Sequence, residues 1–367
     1  MPPRARTAEA EPLPESDRIG DLLHPRERFN LFGHAAAAQT LATAARSGRL
    51  HHAWIIAGPK GVGKATLAWR FARALLAHGA AQCPDDLAVA EGSPAARQVS
   101  ALAHPDLIVI RRPWDQDKKR FKTELPVEEV RRLHGFFARH ASEGGARIAI
   151  IDCADDMSRS AQNALLKILE EPPAQALLLL VSNTPGNLLP TTRSRCRLLT
   201  LRKLDNDAMS DAVMELAPSV DQKARTLLAA LAEGAPGRAL ELAEADAPAI
   251  YREMSELLQS LPRPYGARLY TFAEKISRGP AERGLALFVA LLSQIEERAI
   301  RGSYAPREPV PGEDALLRHL RATLPAERLS ALWEGLKADA QRTDDLNLDK
   351  KQLVLNTFFA IEAASQR

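Results

Sequence analysis

The residues in this chain best equipped for chemistry are a run of glycines closed by a lysine: Gly58, Pro59, Lys60, Gly61, Val62, Gly63 and Lys64. The run lies directly after a short apolar stretch and directly before a helical pattern. Glycines at these spacings allow a turn whose amide groups all point inward at an anion, and the helix N-terminus that follows adds partial positive charge. Lys64 would reach the outer phosphates of a bound nucleotide. A plain Gly-rich turn is the bland alternative, and the order strand, loop, helix counts against it. The next position is where a hydroxyl would hold Mg²⁺, and here it is Ala65. Thr66 follows, but one residue along a helix is a rotation of about 100°, which turns its hydroxyl away from the phosphates.

A second acidic motif carries a parallel defect. Ile148–Asp152 reads as a buried strand ending in a carboxylate, the usual place for the metal-facing Asp of a P-loop NTPase. In hydrolytic relatives a Glu follows and polarises the attacking water; here the residue is Cys153. A thiol with a pKa of about 8.5 is mostly protonated near neutral pH and is a poor base. Asp155 and Asp156 come slightly too late in the chain to replace that Glu. These residues describe a site suited to binding a nucleotide and poorly equipped to hydrolyse one. Further on, Arg193, Arg195 and Arg197 crowd into six residues. Two readings fit them: a finger that neutralises phosphate charge at a neighbouring subunit, or a surface cluster making ordinary ion pairs. Arg238, opening a helical pattern after Gly234-Ala-Pro-Gly, is equally readable as a nucleotide sensor or a surface residue.

These side chains need a scaffold, and the spacing of apolar residues supplies one. Ala53–Ala57, Leu107–Ile110, Ile148–Asp152, Leu177–Val181 and Leu198–Leu201 are continuous apolar runs, as expected of strands buried on both sheet faces. Between them lie helical patterns: Ala68 to Gly79, Val127 to Phe137, and one from Ser158 stopped by Pro172-Pro173. Alternation of this kind predicts a three-layer α/β domain with a parallel sheet. After Lys203 the strand signals disappear. Short helices broken at residues 233–237 are followed by a boundary at Pro262-Arg263-Pro264. Beyond it come longer helices, with stripes at Leu285, Phe288, Val289, Leu292 and Ile295 and at Leu329, Leu332, Trp333 and Leu336, a Pro-rich loop over 302–312, and a last helix across Leu353–Ile361. The expected organisation is a flexible leader over 1–24, an α/β domain over 25–203, a small helical domain over 204–262 and an all-α C-terminal domain over 263–367.

Composition narrows the classes. The 367 residues are 46% apolar and 26% charged, ordinary globular values that indicate neither disorder nor a fibrous repeat. Cys83, Cys153 and Cys196 show no CxxC spacing, which excludes a disulfide framework and points to a reducing compartment. No apolar run approaches the roughly 18 residues that cross a bilayer. The first 20 residues hold four prolines and no apolar core, unlike a secretory signal. The chain is expected to be soluble and cytoplasmic. A net charge of +3 is too weak to establish nucleic-acid binding. The densest basic stretch, Asp117 to Lys122, reads as a solvated loop or as a phosphate-backbone contact. Trp54 and Trp69 are read as core, not as base-stacking groups.

Together these segments resemble the clamp-loader branch of the AAA+ ATPases, from Phe32-Gly-His34 to Arg238 and less specifically beyond. The most telling stretch is Asn163-Ala-Leu-Leu-Lys-Ile-Leu-Glu-Glu-Pro-Pro173, followed by Ser182-Asn183-Thr184, Leu189-Pro190 and Ser194-Arg195-Cys196. His52-Ala-Trp54 and His104-Pro-Asp-Leu107 match as well. The resemblance implies an arginine-finger role for Arg195 acting in trans, a first-sensor role near Asn183 and Thr184, and a second-sensor position at Arg238. It implies ATP as ligand, with Mg²⁺ only where nucleotide is bound. The helices over 204–262 become a lid and those over 263–367 a collar. The partners implied are gamma/tau ATPase subunits and delta in a hetero-pentameric ring, with the sliding clamp and primed DNA reached through that complex, in a nucleoid-associated replisome. The chain itself is not expected to polymerise, lacking the carboxylates for two-metal nucleotidyl transfer. Many relatives carry a four-cysteine zinc module; with Cys83 alone between Gly79 and His104, no zinc is expected. Two other classes remain: an autonomous P-loop ATPase in DNA repair or helicase loading, and a nucleic-acid adaptor without nucleotide function.

Overall fold

The computed structural model describes residues 13–20, 22–139, 141, 145–263, 266–278, 283–301, 310, 312–346 and 348–366. The chain divides into two compact units, Met1–Asp205 and Asn206–Arg367. In the first, the order is α1 (Ala35–Arg46), β1 (Ala53–Ala57), α2 (Lys64–His78), α3 (Pro94–Ser100), β2 (Leu107–Ile110), β3 (Trp114–Asp115), β4 (Arg120–Phe121), α4 (Val127–Phe137), β5 (Arg147–Ile151), α5 (Arg159–Glu170), β6 (Ala176–Ser182), α6 (Pro190–Arg193) and β7 (Arg197–Thr200). Five strands form one parallel sheet in the order β2-β5-β6-β1-β7. All five expected strands are present, to within one residue at either end.

Side chains alternate across a strand, so each apolar strand feeds two cores. Trp54 and Ile56 join Ile148, Ile150, Leu177 and Leu179 beneath α1 and α2. Ala53, Ile55 and Ala57 join Ala149, Ile151, Leu178 and Leu180 beneath α4 and α5. The result is the three-layer α/β arrangement with its sheet buried on both faces. Trp54 and Trp69 are almost wholly buried, and burial of a large apolar side chain stabilises by about 1.5–3 kcal/mol.

Helix ends follow local chemistry. The Ser158 hydroxyl accepts from the amide of Ala161 at 3.2 Å and starts α5, which stops just before Pro172-Pro173. Asp117–Lys122 differs from the loop expected: Trp114 and Phe121 meet edge to face at 4.9 Å across the short antiparallel pair β3–β4, which turns the segment into a hairpin.

Of the expected leader, residues 1–12 lie outside the described residues, and much of 13–24 is held in place. The His24 ring is fully buried and lies edge-on to Trp69. Its Nδ1 accepts from the amide of Arg26 at 3.0 Å, so Nε2 carries the proton and faces Asp17 Oδ2, also at 3.0 Å. Arg111, just beyond β2, grips Asp17 at 2.8 Å and Glu15 at 2.7 Å. Arg26 reaches Glu15 at 2.8 Å. Against the cost of burial, Arg26 and Arg111 hold the Glu15 carboxyl down at about 2, and His24 and Arg111 hold Asp17 below the usual range. Arg73 of α2 closes the other side, donating to the carbonyls of Arg26 and Arg28 and lying 4.0 Å over the Phe29 ring.

The second unit is helical among its described residues: α7 (Asn206–Leu216), α8 (Gln222–Leu231), α9 (Pro236–Glu244), α10 (Ala247–Gln259), α11 (Gly266–Arg278), α12 (Arg283–Arg301), α13 (Glu313–Thr323), α14 (Ala326–Asp345) and α15 (Lys350–Ser365). Phe272, Phe288 and Phe358 cluster where α11, α12 and α15 meet. In the α12 stripe Leu291 is buried more deeply than Val289. Almost all of the Pro-rich 302–312 segment lies outside the described residues.

The anchored segment gives a test. Carboxylates whose folded pKa lies below the unfolded value stabilise above the unfolded pKa of about 4 and lose that contribution as pH falls through the folded value. Arg111→Ala should therefore destabilise the first unit by about 1–3 kcal/mol at pH 7. The deficit should shrink as pH falls from 4 toward 2, measured as the gap between wild-type and variant denaturant midpoints.

Candidate nucleotide site

The chain leaves β1 for β2 at one sheet margin and later crosses from β6 over β1 to β7 at the other. Neighbouring connections therefore diverge at the carboxyl end of β1, the kind of crevice where open parallel sheets bind ligands. Register brings three strand ends together there, with Ala57 beside Ser182 and Ile151 beside Leu180. Gly58 opens the loop at φ +148°, and a Cβ on it would lie 2.5 Å from the Leu201 carbonyl oxygen. Its missing side chain lets β7 lie beside the loop, with the Leu201 amide donating to Ala57 at 2.7 Å. Gly63, at φ +108°, stands at the start of α2 without a side-chain cap. His34 Nε2 donates to the carbonyl of Val62 at 2.8 Å and fixes the loop's far side.

Lys64 is nearly buried. Its Nζ donates to the carbonyls of Gly58 at 2.9 Å and Pro59 at 2.6 Å, and to Asn183 Oδ1 at 2.8 Å. Burial pulls its ammonium below the usual lysine value, against the opposing charge of the residues after β5. Of the remaining loop residues, Val62 is buried in the core and Ala65 packs at its edge, while Lys60 is exposed and Thr66 half-buried.

After β5 comes Asp152, and burial, with Asp17's negative charge second, pushes its carboxyl up to about 7 while Lys64 and Arg111 pull the other way. Cys153 Sγ donates to Asp155 Oδ2 at 3.0 Å and accepts from Asn183 Nδ2 at 3.3 Å. Burial, then the Asp155 carboxylate, raises the thiol far above its usual range, so no thiolate is available as a base. Asp155 uses both oxygens: Oδ1 accepts from Ser182 Oγ at 2.6 Å, and Oδ2 from the amides of Asn183 at 2.5 Å and Thr184 at 3.2 Å. Asp156 pairs with Arg112 at 2.9 Å. The loop amides and Lys64 fit a phosphate. The residues around them do not fit Mg²⁺ well, because Ala65 offers no hydroxyl after Lys64. Among the described residues no group of three or more His, Cys, Asp or Glu is placed to hold a metal ion.

Gly58–Lys64, Asp152 and Asn183 thus converge, and within the same unit Arg195 stands elsewhere. Arg195 precedes β7, whose Arg197 is level with Trp54, whereas the phosphate loop follows Ala57, level with Thr200. At about 3.3 Å per residue, the two lie at opposite ends of the sheet, about 10 Å or more apart. Arg195 donates to the Thr191 carbonyl at 3.1 Å and pairs with Glu170 at 2.9 Å. Arg193 is exposed, and Arg197 lies 5.2 Å over Trp54. Arg238 is half-buried in the first turn of α9, in the second unit. In the basic hairpin, Lys118, Arg120 and Lys122 border a cavity of about 470 Å³ together with Ser158 and Ser160.

Sequence reasoning missed Asp155 as the hub of this site, and Asp17 and Arg111 as neighbours of Asp152. Their partners lie 27 to 29 residues away for Asp155 and 94 to 96 for Arg111. No local spacing signals such pairs.

The family described as "DNA polymerase III, delta subunit" matches residues 33–205. The chain is similar to "DNA polymerase III subunit delta'" of Pseudomonas aeruginosa, 38% identical over 40% of this chain and 41% of that protein. It is likewise similar to "DNA polymerase III subunit delta'" of Escherichia coli, 33% identical over 57% of this chain and 59% of that protein. A third relative is "DNA polymerase III subunit tau/gamma" of Haemophilus influenzae, 32% identical over 51% of this chain and 25% of that protein. The matches to the two delta' proteins span about half of their length.

The elevated Asp152 carboxyl predicts a pH signature. An acid whose folded pKa lies above its unfolded value destabilises progressively as pH rises between the two. Asp152→Asn should therefore gain stability over wild type between about pH 4, the ordinary aspartate range, and pH 7, with the difference flat below and above. Melting temperatures across pH 3–9 would check this, and a difference independent of pH would contradict it.

Proposed function

We propose that this chain acts as a delta prime subunit of the clamp-loader branch of the AAA+ ATPases, completing a neighbour's ATPase site during sliding-clamp loading in DNA replication. This reading is supported by the similarity of residues 33–205 to the family described as "DNA polymerase III, delta subunit" and by the two delta' relatives. One observation supports this above the others. Arg195 sits at the end of the sheet opposite this chain's own phosphate loop, so its guanidinium is out of reach of a nucleotide held there. An arginine so placed can serve phosphates bound by another subunit but not those held by its own loop. The second support is the site itself: a phosphate loop with its lysine, but no hydroxyl after Lys64 and a protonated thiol where a catalytic base would stand.

The chemistry assigned to this chain is brief. The loop amides and Lys64 bind a nucleotide, ATP in the family reading, and hold it without activating water. Arg195 exchanges Glu170 for the outer phosphate of the adjacent subunit's ATP and neutralises charge as the bond to the leaving phosphate lengthens. Residues 204–262 serve as lid, carrying Arg238 as second sensor, and residues 263–367 as the collar that joins gamma/tau and delta in a five-membered ring. The clamp and primed DNA are met through that complex, in the cytoplasm at the replisome. An autonomous ATPase finds no support in Ala65 or Cys153.

The test is ATP turnover, stimulated by clamp and primed DNA, in a loader reconstituted with this chain intact or carrying Arg195→Ala. Turnover should fall by about 10³-fold at the affected site, with ring assembly unchanged by analytical ultracentrifugation. Unaltered turnover in an assembled ring would reduce Arg195 to a surface arginine. Steady turnover by the isolated wild-type chain would favour the autonomous enzyme.

A further inference from the structure

An ammonium group has three N–H donors and no acceptor. Lys64 gives all three to the protein: two to the loop carbonyls of Gly58 and Pro59, the third to Asn183 Oδ1. A phosphate that needs this lysine must therefore displace one of these partners. The two carbonyls belong to the loop itself, whereas Asn183 stands just after β6, 119 residues away, and is a separate clasp. Its amide cannot simply flip away, since Nδ2 donates to Cys153 Sγ at 3.3 Å and so directs Oδ1 at the lysine. Its backbone cannot drift either, because the Asp155 carboxylate takes the amides of Asn183 and Thr184 together with the Ser182 hydroxyl. The clasp is thus prebuilt, and its closed geometry is the one in which Lys64 has no proton left to give.

From this we infer that Asn183 is an autoinhibitory latch on the phosphate loop, holding Lys64 away from nucleotide until the turn after β6 shifts. The inference rests on the reading that the loop binds nucleotide, and it reverses the sign expected of a sensor. A residue whose main work is to contact bound phosphate weakens binding when removed. A latch strengthens binding when removed. The amide-to-lysine bond is one hydrogen bond at an exposed asparagine, so its loss should be worth about three- to tenfold in affinity. A carboxylate in the same place would instead close the latch with an ion pair.

The experiment uses the full-length chain with a fluorescent ATP analogue, comparing wild type, Asn183→Ala and Asn183→Asp after circular dichroism has confirmed equal folding. Labelling of Lys64 by an amine-reactive ester, read by mass spectrometry, is measured in parallel without nucleotide. The latch requires Asn183→Ala to bind three- to tenfold more tightly and to label faster, and Asn183→Asp to bind more weakly and label more slowly. A general loss of local structure would move both variants in the same direction and would overturn the proposal, as would wild-type-like or weaker binding by Asn183→Ala. If no protein in the series binds at millimolar analogue, the nucleotide reading itself falls and takes the latch with it. Binding by wild type alone keeps that reading and removes only the latch.

Discussion

Much of the first unit depends on one carboxylate. Asp155 lies in the single 3₁₀ turn after β5 and accepts hydrogen bonds from Ser182, Asn183 and Thr184 at the end of β6, as well as from the Cys153 thiol. A half-buried acceptor with both oxygens engaged is worth more in place than its separate bonds suggest, because removing it leaves several donors stranded together. By joining two strand ends, it sets where Asn183 stands and so where Lys64 can reach. A residue at first sight a candidate base turns out to be the brace for the whole strand-end platform.

The same platform sets the protonation of the two residues that follow β5. Asp152 is driven toward its neutral form by burial and by the negative Asp17, which the anchored N-terminal segment brings close. Cys153 is kept as a thiol first by burial and then by Asp155. Burial comes first for both, followed by the field of Asp17 for Asp152 and by the Asp155 hydrogen bond for Cys153.

The α/β scaffold was legible in the sequence because both signals involved are local. Strands buried on two faces read as unbroken apolar runs, and Ser158, Pro172 and Gly79 mark helix ends by their own backbone chemistry. The phosphate loop was legible for the same reason, every residue of Gly58–Lys64 being contiguous. The platform was not. Lys64 meets Asn183 across 119 residues, and Arg111 meets Asp17 across 94, so their partnership exists only once β2, β5, β6 and β1 lie side by side. The β3–β4 hairpin was hidden for another reason: each strand is two residues long, too short to show alternation, and the Trp114–Phe121 contact across it joins residues seven apart.

β7 forms one margin of the sheet, paired on one side only, with Leu198 largely exposed between Arg197 and Leu199. An open margin of this sort invites another extended chain to continue the ladder, the usual beginning of aggregation. Here the strand is only four residues long, and Arg193 and Arg197 stand at its entrance. Two copies meeting margin to margin would face each other with like charges, so the arginine-rich approach to β7 discourages self-association while leaving the margin approachable by an acidic surface.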